Sequence, residues 1–367
     1  MKKKLKHNFQ KGKIDFCQIC NSKKISQVMD FGYQPLADDL QELNSKIRSY
    51  VNYPLKIDFC EKCILLQTNY IVGDNIIYKN NYHYTPGISK QIVKYLKDFS
   101  NEIFLNYNLT KDDIVIDVGC NDGTLLNEFK LKGIKKVIGI EPTDTIKIAK
   151  KKKIITIQSF LDKKVAKKIT KKYGKAKIIT TTNVFAHTAN LGNFIEGIKE
   201  LLATDGYFII ENHYLKKVIQ NNQFDTFYHE HLRTYSLRSL KKFLKYYDMN
   251  LIDAKITSRY GGNIQAHFSK KKIKIKKNAK KILSEELKFG LNKKIVYKNF
   301  FKKIQDAKKT MDIFLNKNKK KNIVGKAFPA RASVLINYFE NMKYDIKYIF
   351  EQPSSKKLNK FVPGTNI

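Results

Sequence analysis

The sequence predicts an α/β fold in which a small metal-binding domain precedes a mainly parallel sheet, and three observations lead to this prediction. Four of the five cysteines form two C-x-x-C pairs in the first part of the chain. Downstream, apolar strand segments alternate with amphipathic helical segments, a pattern typical of parallel sheets. The last two strand segments of this series have no helix between them, which predicts a closing hairpin.

The composition is that of a globular protein with more than one domain. The chain has 367 residues, of which 42% are hydrophobic and 12% aromatic, and this length suits two or three domains with a real core. No run of about 18 apolar residues occurs, and the basic start "MKKKLKHNFQKGKIDF" has no apolar segment behind it. These features predict neither a membrane span nor a signal peptide, so we expect a cytoplasmic protein without a membrane partner.

The formal net charge of +38 raises the possibility of a nucleic-acid partner, because dense positive charge is what neutralises phosphates. Phosphate and base recognition, however, favours the guanidinium fork of arginine. Most of the 71 basic residues are lysines spread along the whole chain, and lysine runs are typical of solvated faces. Nucleic acid is therefore the weaker hypothesis. The arginines are Arg48, Arg233, Arg238, Arg259 and Arg331.

The two cysteine pairs, Cys17 with Cys20 and Cys60 with Cys63, predict a zinc site. Two residues between the sulfurs let both sulfurs of a pair reach one Zn²⁺ at about 2.3 Å. Two disulfides are the alternative, which a cytoplasmic location disfavours. Because cysteine fills all four positions, we expect a closed, structural site.

The stretch "DDIVIDVGCNDGTLLNEF" predicts a buried strand, a glycine turn and a helix. The next strand ends at Glu141, a position from which a carboxylate can hold both hydroxyls of a ribose. Gly119 and Gly123 are expected to let a ligand approach the backbone closely. The turn lacks the three-glycine spacing of dinucleotide sites and the lysine of a phosphate loop. It therefore favours a nucleoside ligand such as S-adenosylmethionine.

Further strands are predicted at 177–184, 206–212, 251–257 and 263–269. Alternating units closed by a hairpin are what a class I methyltransferase (Rossmann-like) sheet requires. Ligands of such sheets bind at the carboxyl ends of the strands. Those ends carry Asp117, Glu141, His187 and Glu211.

Four segments resemble one known family, the S-adenosylmethionine-dependent deoxysugar C-methyltransferases. "CQICNSKKISQVMDFGYQPLADDL" together with "YPLKIDFCEKCILLQ" resembles the family's zinc-binding N-terminal domain. "DVGCNDGTLL" with "GIEP" is similar to its cofactor motif, "NVFAH" to its post-strand histidine motif, and "FDTFYHEHLRTYSL" to its catalytic loop. The resemblance implies cofactor contacts from Asp117, Gly119, Asn121, Gly123, Glu141, Pro142 and Asn183.

The family resemblance implies methyl transfer to C3 of a nucleotide-linked 4-keto-6-deoxysugar, with dTDP as the expected nucleotide. Carbon becomes a nucleophile only after a proton alpha to the carbonyl is removed, so a base and a donor to the enolate oxygen are needed. The resemblance implies that His231 is the base and that Tyr228 and Glu230 position the sugar or its oxyanion. His187 would contribute from a neighbouring loop, and Tyr82 or Tyr84 would close the site.

Other readings of these residues remain open. His187 could cap a helix, Glu230 could be a solvated acid, and the tyrosines could pack between domains. His229 is not expected to act chemically. At the level of function, the alternatives are an O- or N-methyltransferase of another small molecule and an RNA-binding methyltransferase.

The predicted organisation has four parts: a basic flexible N-terminus (1–14), a zinc-binding domain (15–78), a methyltransferase domain (79–262) and a C-terminal α/β substrate-binding domain (263–367). In the last part, "VGKAFPARASVLINYF" keeps a strand-turn-helix pattern but has Arg331 where relatives have a lysine. Relatives extend beyond the last residue of this sequence, so the C-terminal domain is expected to be incomplete.

Overall fold

The computed structural model describes residues 11–45, 50–77, 85–353 and 355–367. Tyr82, Tyr84 and most of the predicted flexible N-terminus lie outside these residues. No helix in the described ranges combines the length and the apolar character needed to cross a membrane.

The strands are β1 (Gly12–Lys13), β2 (Ile25–Pro35), β3 (Gln41–Glu42), β4 (Asn52–Cys60), β5 (Leu65–Thr68), β6 (Tyr70–Ile71), β7 (Ile114–Val118), β8 (Lys136–Ile140), β9 (Ile155–Ile157), β10 (Ala176–Thr182), β11 (Leu202–His213), β12 (Arg233–Tyr235), β13 (Asn250–Thr257), β14 (Asn263–Ser269), β15 (Ile323–Lys326), β16 (Ile346–Phe350) and β17 (Lys360–Phe361). The helices are α1 (Asp74–Ile77), α2 (Lys90–Asn106), α3 (Thr124–Leu131), α4 (Ile146–Lys151), α5 (Lys163–Tyr173), α6 (Leu191–Leu201), α7 (Leu215–Gln220), α8 (Leu237–Lys245), α9 (Lys277–Lys288), α10 (Lys294–Lys317), α11 (Ala332–Tyr338) and α12 (Met342–Asp345).

The central sheet has seven strands in the order β13-β14-β11-β10-β7-β8-β9. Neighbouring strands from β11 to β9 are parallel, whereas β14 runs antiparallel to both β11 and β13. Every residue of β7 is buried, as expected of a strand covered by helices on both faces. The predicted class I methyltransferase fold is confirmed. Because β14 belongs to this sheet, the predicted division after residue 262 separates two strands that are paired with each other.

A second sheet, in the order β12-β5-β4-β2, is wholly antiparallel. Three of its strands come from the cysteine-containing N-terminal part, whereas β12 follows β11 of the central sheet in the chain. Arg233 in β12 lies opposite Gln67 in β5, and Tyr235 lies opposite Leu65. The segment "FYHEH" therefore crosses from one sheet to the other, a connection that the sequence does not predict.

Helix α8 follows β12 directly, and its first turn is capped from two sides. The Ser236 hydroxyl accepts from the Ser239 N–H at 3.0 Å. The buried Glu286 of α9 accepts from the N–H groups of Leu237 at 2.5 Å and Arg238 at 3.2 Å. These bonds satisfy N–H groups that a helix N-terminus leaves free, and they fix the point where the loop ends.

The C-terminal part packs against the N-terminal sheet and against the loop before β12, as well as against the central sheet. The Phe31 ring of β2 is stacked with the Phe224 ring at 6.0 Å and meets the Tyr338 ring edge-on at 5.2 Å. Parallel strands β15 and β16 with helix α11 form the predicted strand-turn-helix unit. Side chains from all three parts thus join in one apolar cluster around the loop.

Candidate active site

The four predicted cysteine ligands converge on one point in the N-terminal part. Their sulfurs all lie within 4.8 Å of one another, and Cys20 Sγ is 3.8 Å from Cys60 Sγ. A tetrahedron with Zn–S bonds of about 2.3 Å has S···S edges of about 3.8 Å. The Ile19 N–H points at Cys17 Sγ at 3.4 Å, and none of the four cysteines is in a disulfide. The residues therefore fit one structural Zn²⁺.

A cavity of about 310 Å³ lies at the carboxyl ends of β7, β8 and β10. Apolar side chains of Phe160, Leu161 and Val184 line it together with polar groups, a mixture suited to an adenosyl group. The seventh predicted cofactor residue, Gly123, is not part of the lining and instead precedes α3. The other six line the cavity: Asp117, Gly119, Asn121, Glu141, Pro142 and Asn183.

Glu141 is held rigidly where β8 ends. Its Oε1 accepts from the N–H of Thr143 at 2.9 Å and from the Thr143 hydroxyl at 2.7 Å, and its Oε2 accepts from the Asn121 N–H at 3.1 Å. Burial raises the pKa of Glu141, and the bonds from Thr143 and Asn121 oppose that rise. Because a carboxylate offers about four acceptor positions, Oε2 can still accept from a ribose hydroxyl.

The two glycines of the turn are required by the protein itself. Gly119 has φ +76° and a Cβ there would lie 2.2 Å from Val184 Cγ2. Gly123 has φ +73° and a Cβ would lie 2.6 Å from Ile154 Cδ1 and 2.8 Å from Ala149 Cβ. The sequence predicts that both glycines let a ligand approach; Gly119 does line the cavity, and at both positions protein side chains also lie where a Cβ would be.

Asn183 supplies a polar atom that fits a bound cofactor. It has φ +56°, an uncommon backbone conformation for a residue other than glycine. Its Oδ1 accepts from Asn263 Nδ2 at 3.2 Å, whereas its own Nδ2 is buried without a hydrogen-bond partner. A buried donor at a cavity wall usually indicates a missing acceptor, and the polar groups of S-adenosylmethionine can provide one.

A buried polar network beside the cavity was missed by sequence reasoning, except for Glu211. Glu211 accepts from the Tyr95 hydroxyl at 2.5 Å and from Asn263 Nδ2 at 2.9 Å. Arg259 Nη1 lies 3.6 Å from the same carboxylate, and Arg259 lines the cavity. A cation at this wall fits the carboxylate of an amino-acid ligand. No local pattern marks Tyr95 or Arg259, which are positioned here by α2 and by the turn before β14.

Three histidine rings cluster next to the cavity. The ring of His231 lies 4.6 Å from that of His187 and 5.2 Å from that of His213, and the Tyr228 ring is 4.1 Å away. His187 lines the cavity, and its Nδ1 is buried without a partner. His213 was not predicted, although it ends β11 and the rule for carboxyl ends of strands would have found it.

The hydrogen bonds of His231 define its tautomer. Nδ1 lies 2.8 Å from the carbonyl oxygen of Thr226, which can only accept, so Nδ1 carries the hydrogen. Nε2 then accepts from the Tyr228 hydroxyl at 2.9 Å. Burial lowers the pKa of His231 to about 4, the Thr226 bond opposes this, and the Arg331 cation lowers it further. His231 is thus a neutral imidazole at neutral pH.

Glu230 and His229 are both buried, but they lie in different surroundings. Glu230 is 5% exposed, and burial, with Asp38 nearby, raises its pKa well above the ordinary value, so the alternative of a solvated loop acid does not hold. His229 Nε2 faces the Tyr53 carbonyl oxygen at 3.3 Å, in the N-terminal sheet. The two histidines of the loop therefore face different parts of the molecule.

The sheet order, the acidic Glu141 directly after β8 and the cavity together define the class I methyltransferase fold, with a site suited to S-adenosylmethionine. Family models match the chain in three consecutive ranges: a zinc-binding domain at 17–78, a methyltransferase domain at 89–254 and a C-methyltransferase C-terminal domain at 258–367. In the order and extent of these three matches, the chain is similar to S-adenosylmethionine-dependent C-methyltransferases that combine the same domains.

Individual proteins are similar to parts of this chain. C-methyltransferase NovU of Streptomyces niveus is 27% identical over 252 residues, which cover 68% of this chain and 60% of NovU. A methyltransferase of Dictyostelium discoideum is 30% identical over 147 residues, covering 39% of this chain and 54% of that protein. The chain therefore matches less than two thirds of the length of either relative. A crystal structure of an S-adenosylmethionine-dependent methyltransferase from Clostridium acetobutylicum aligns with a TM-score of 0.39 and 18% identity, covering 48% of this chain and 91% of that one.

Proposed function

We propose that this protein transfers a methyl group from S-adenosylmethionine to C3 of a nucleotide-linked 4-keto-6-deoxysugar through an enolate. The observation that carries the proposal is the His231 ring, which lies among the rings of His187, His213 and Tyr228 next to the cofactor cavity and has Nε2 at hydrogen-bond distance from the Tyr228 hydroxyl. The likeness to C-methyltransferase NovU and the C-methyltransferase C-terminal domain support carbon as the methyl acceptor.

His231 takes the role of the general base in this proposal. S-adenosylmethionine, when bound, supplies an electrophilic methyl group. The Nε2 lone pair of His231 removes the C3 proton, and the Thr226 carbonyl at 2.8 Å from Nδ1 stabilises the imidazolium that forms. A base with its proton-accepting nitrogen already unprotonated at neutral pH suits this step.

The enolate oxygen needs hydrogen-bond donors that are in place before the charge develops. The Tyr228 hydroxyl lies 2.9 Å from Nε2 of His231. A sugar that approaches this nitrogen therefore displaces the hydroxyl, which can then donate to the oxygen at C4. Glu230 is buried, and burial raises its pKa well above the ordinary value; we assign it a part in positioning the sugar or its oxyanion. Tyr82 remains a proposed member of the site.

A cation near the base fits the diphosphate of a nucleotide sugar. Arg331, at the start of α11, pairs with Asp225 at 3.1 Å and remains 34% exposed at its side chain. Guanidinium groups bind phosphate oxygens through paired hydrogen bonds. We propose that Arg331 contacts the diphosphate of a dTDP-linked substrate, taking the place of the family lysine.

The test is a mass-spectrometric assay with deuterated-methyl S-adenosylmethionine and a panel of nucleotide sugars. A 4-keto-6-deoxysugar is expected to gain one labelled methyl group, located on carbon by fragmentation. The matched control is the same sugar reduced to a 4-hydroxyl, which cannot form the enolate and is expected to stay unlabelled. Label on oxygen, or equal labelling of the reduced sugar, would refute carbon methylation.

A further inference from the structure

Arg233 is a deeply buried cation that contacts its own strand and two other segments of the chain. It lies in β12 and is 2% exposed. Its Nε donates to the Tyr235 hydroxyl at 2.8 Å. Its Nη1 donates to the side-chain oxygen of Gln18, and its Nη2 donates to the carbonyl oxygen of Thr188. The planar fork of a guanidinium can hold two acceptors in a fixed relation, which a lysine cannot do.

The first of these acceptors belongs to the metal site. Gln18 lies between Cys17 and Cys20, inside the first cysteine turn. Its main-chain N–H donates to Gln67 Oε1 at 2.8 Å, and its Nε2 donates to the Thr68 carbonyl at 3.1 Å. The side-chain oxygen that Arg233 contacts is therefore held in place by the cysteine turn and by β5.

The second acceptor belongs to the wall of the cofactor cavity. His187 stands between Ala186, whose carbonyl accepts from the Leu232 N–H at 3.1 Å, and Thr188, whose carbonyl accepts from Arg233. Both peptide neighbours of His187 are thus bonded to the segment that starts β12. The Tyr235 hydroxyl, within 3.4 Å of the Phe185 carbonyl, adds a further contact to the same loop.

We infer that Arg233 is a positioning residue that couples the first cysteine turn to His187. The guanidinium, which Gln18 orients, holds the Thr188 carbonyl and so helps to place the imidazole of His187 at the cavity wall. The catalytic part of this inference rests on the proposed function, in which His187 faces the substrate. The structural part does not, and it can be measured without turnover.

The test compares matched variants of the two cysteine pairs. Gln18→Leu removes the acceptor for Arg233, whereas Glu61→Leu changes the exposed residue at the same position of the second pair. Zinc content by mass spectrometry, and the ring ¹H–¹³C resonance of His187, assigned with His187→Gln, are measured in the zinc-loaded proteins. We expect Gln18→Leu to retain zinc and shift the His187 resonance, and Glu61→Leu to leave both unchanged.

In the methylation assay kcat should fall about 10- to 100-fold for Gln18→Leu, with little change in KM.

A second variant approaches the contact from its other end. Arg233→Met should shift the His187 resonance in the same direction, and the double variant should shift it no further than the larger single change, since residues in one network do not act additively. An unchanged resonance in zinc-loaded Gln18→Leu, or additive shifts, would overturn the coupling. If Gln18→Leu does not retain zinc, the His187 resonance of Arg233→Met alone tests the coupling: a shift supports it, and an unchanged resonance overturns it. Failure of the wild type to methylate any 4-ketosugar would refute the proposed function and leave the resonance test intact.

Discussion

The Tyr228 hydroxyl donates to Nε2 of His231 across 2.9 Å, while Nδ1 of the same ring faces the Thr226 carbonyl oxygen at 2.8 Å. The ring is thereby fixed in one tautomer, and the nitrogen available for proton abstraction is the one that Tyr228 covers. A base in this arrangement is kept neutral and oriented until a substrate displaces the tyrosine.

Removing the tyrosine hydroxyl should make His231 easier to protonate. A donor to Nε2 favours the neutral ring, so Tyr228→Phe is expected to raise the pKa of His231 from about 4 toward its ordinary value. Titration of the histidine ring resonances by NMR measures this. His229, whose pKa of about 4 arises from burial against the N-terminal sheet, is the internal control and should not move. An unchanged His231 titration would show that the hydroxyl does not hold Nε2.

The same histidine should make stability depend on pH with a defined sign. Burial depresses the folded-state pKa of His231 to about 4, so between the ordinary value near 6.5 and pH 4 the unfolded chain binds more protons. The contribution of His231 is full above about pH 6.5 and is lost as pH falls toward 4, amounting to about 3 kcal/mol.

Urea unfolding of the wild type and of His231→Asn at pH 7 and pH 4.5 measures that contribution. The comparison with the variant is needed because buried carboxyls such as Asp117, whose pKa burial raises to about 7, act in the opposite direction in both proteins. Acidification should cost the wild type more stability than the variant. Equal losses would mean that the pKa of His231 in the folded protein is close to its ordinary value.

The features predicted from sequence are those that depend on local spacing and periodicity. The four cysteines, the strand and turn before α3, and Glu141 at the end of β8 are each defined within a few residues of chain, because ligand spacing and buried strands leave a direct pattern. The packing of Gly123 against Ile154 and Ala149 has no such local pattern, since these partners come from another helix-turn unit.

The features that escaped prediction join residues far apart in the chain. β12 pairs with β5, although the strands β7 to β11 of the central sheet lie between them in the chain, and Arg233 contacts Gln18 over a separation of 215 residues. A three-residue strand has no periodicity to detect, and one arginine in a lysine-rich chain gives no pattern. Such contacts are set by how the domains pack, which local propensity does not encode.

Glu141 is predicted to account for much of the affinity for the cofactor. Glu141→Ala removes the acceptor for ribose hydroxyls, and because each hydrogen bond to a charged group contributes about 1.5–3 kcal/mol, affinity for S-adenosylmethionine should fall at least about tenfold. Calorimetric titration measures the change. Asp144→Asn, which neutralises a nearby exposed carboxylate, is the control and should bind normally. Unchanged affinity in Glu141→Ala would move the ribose contact to another residue.

Removal of zinc should loosen more than the N-terminal part. Chelation is expected to release one Zn²⁺ per chain and to speed amide hydrogen exchange in residues 15–78 and also in β12, because β12 is bonded to β5. Binding of S-adenosylmethionine should be largely retained, since most of its cavity is built by the central sheet. Cys120→Ser, which removes the cysteine outside the cluster, should keep the metal. Freshly purified, reduced protein without zinc would refute the site.

The assignment of the base predicts two losses that must occur together. His231→Asn should lose methyl transfer and also the exchange of the C3 hydrogen of the sugar with deuterated water in the absence of the cofactor, because enolate formation precedes alkylation. A general base contributes about 10²- to 10⁴-fold, so the defect should be large. His229→Asn is the matched control, since His229 faces the Tyr53 carbonyl in the N-terminal sheet and should leave exchange near the wild-type rate. Exchange that persists in His231→Asn and disappears in His229→Asn would assign the base to the other histidine of the loop.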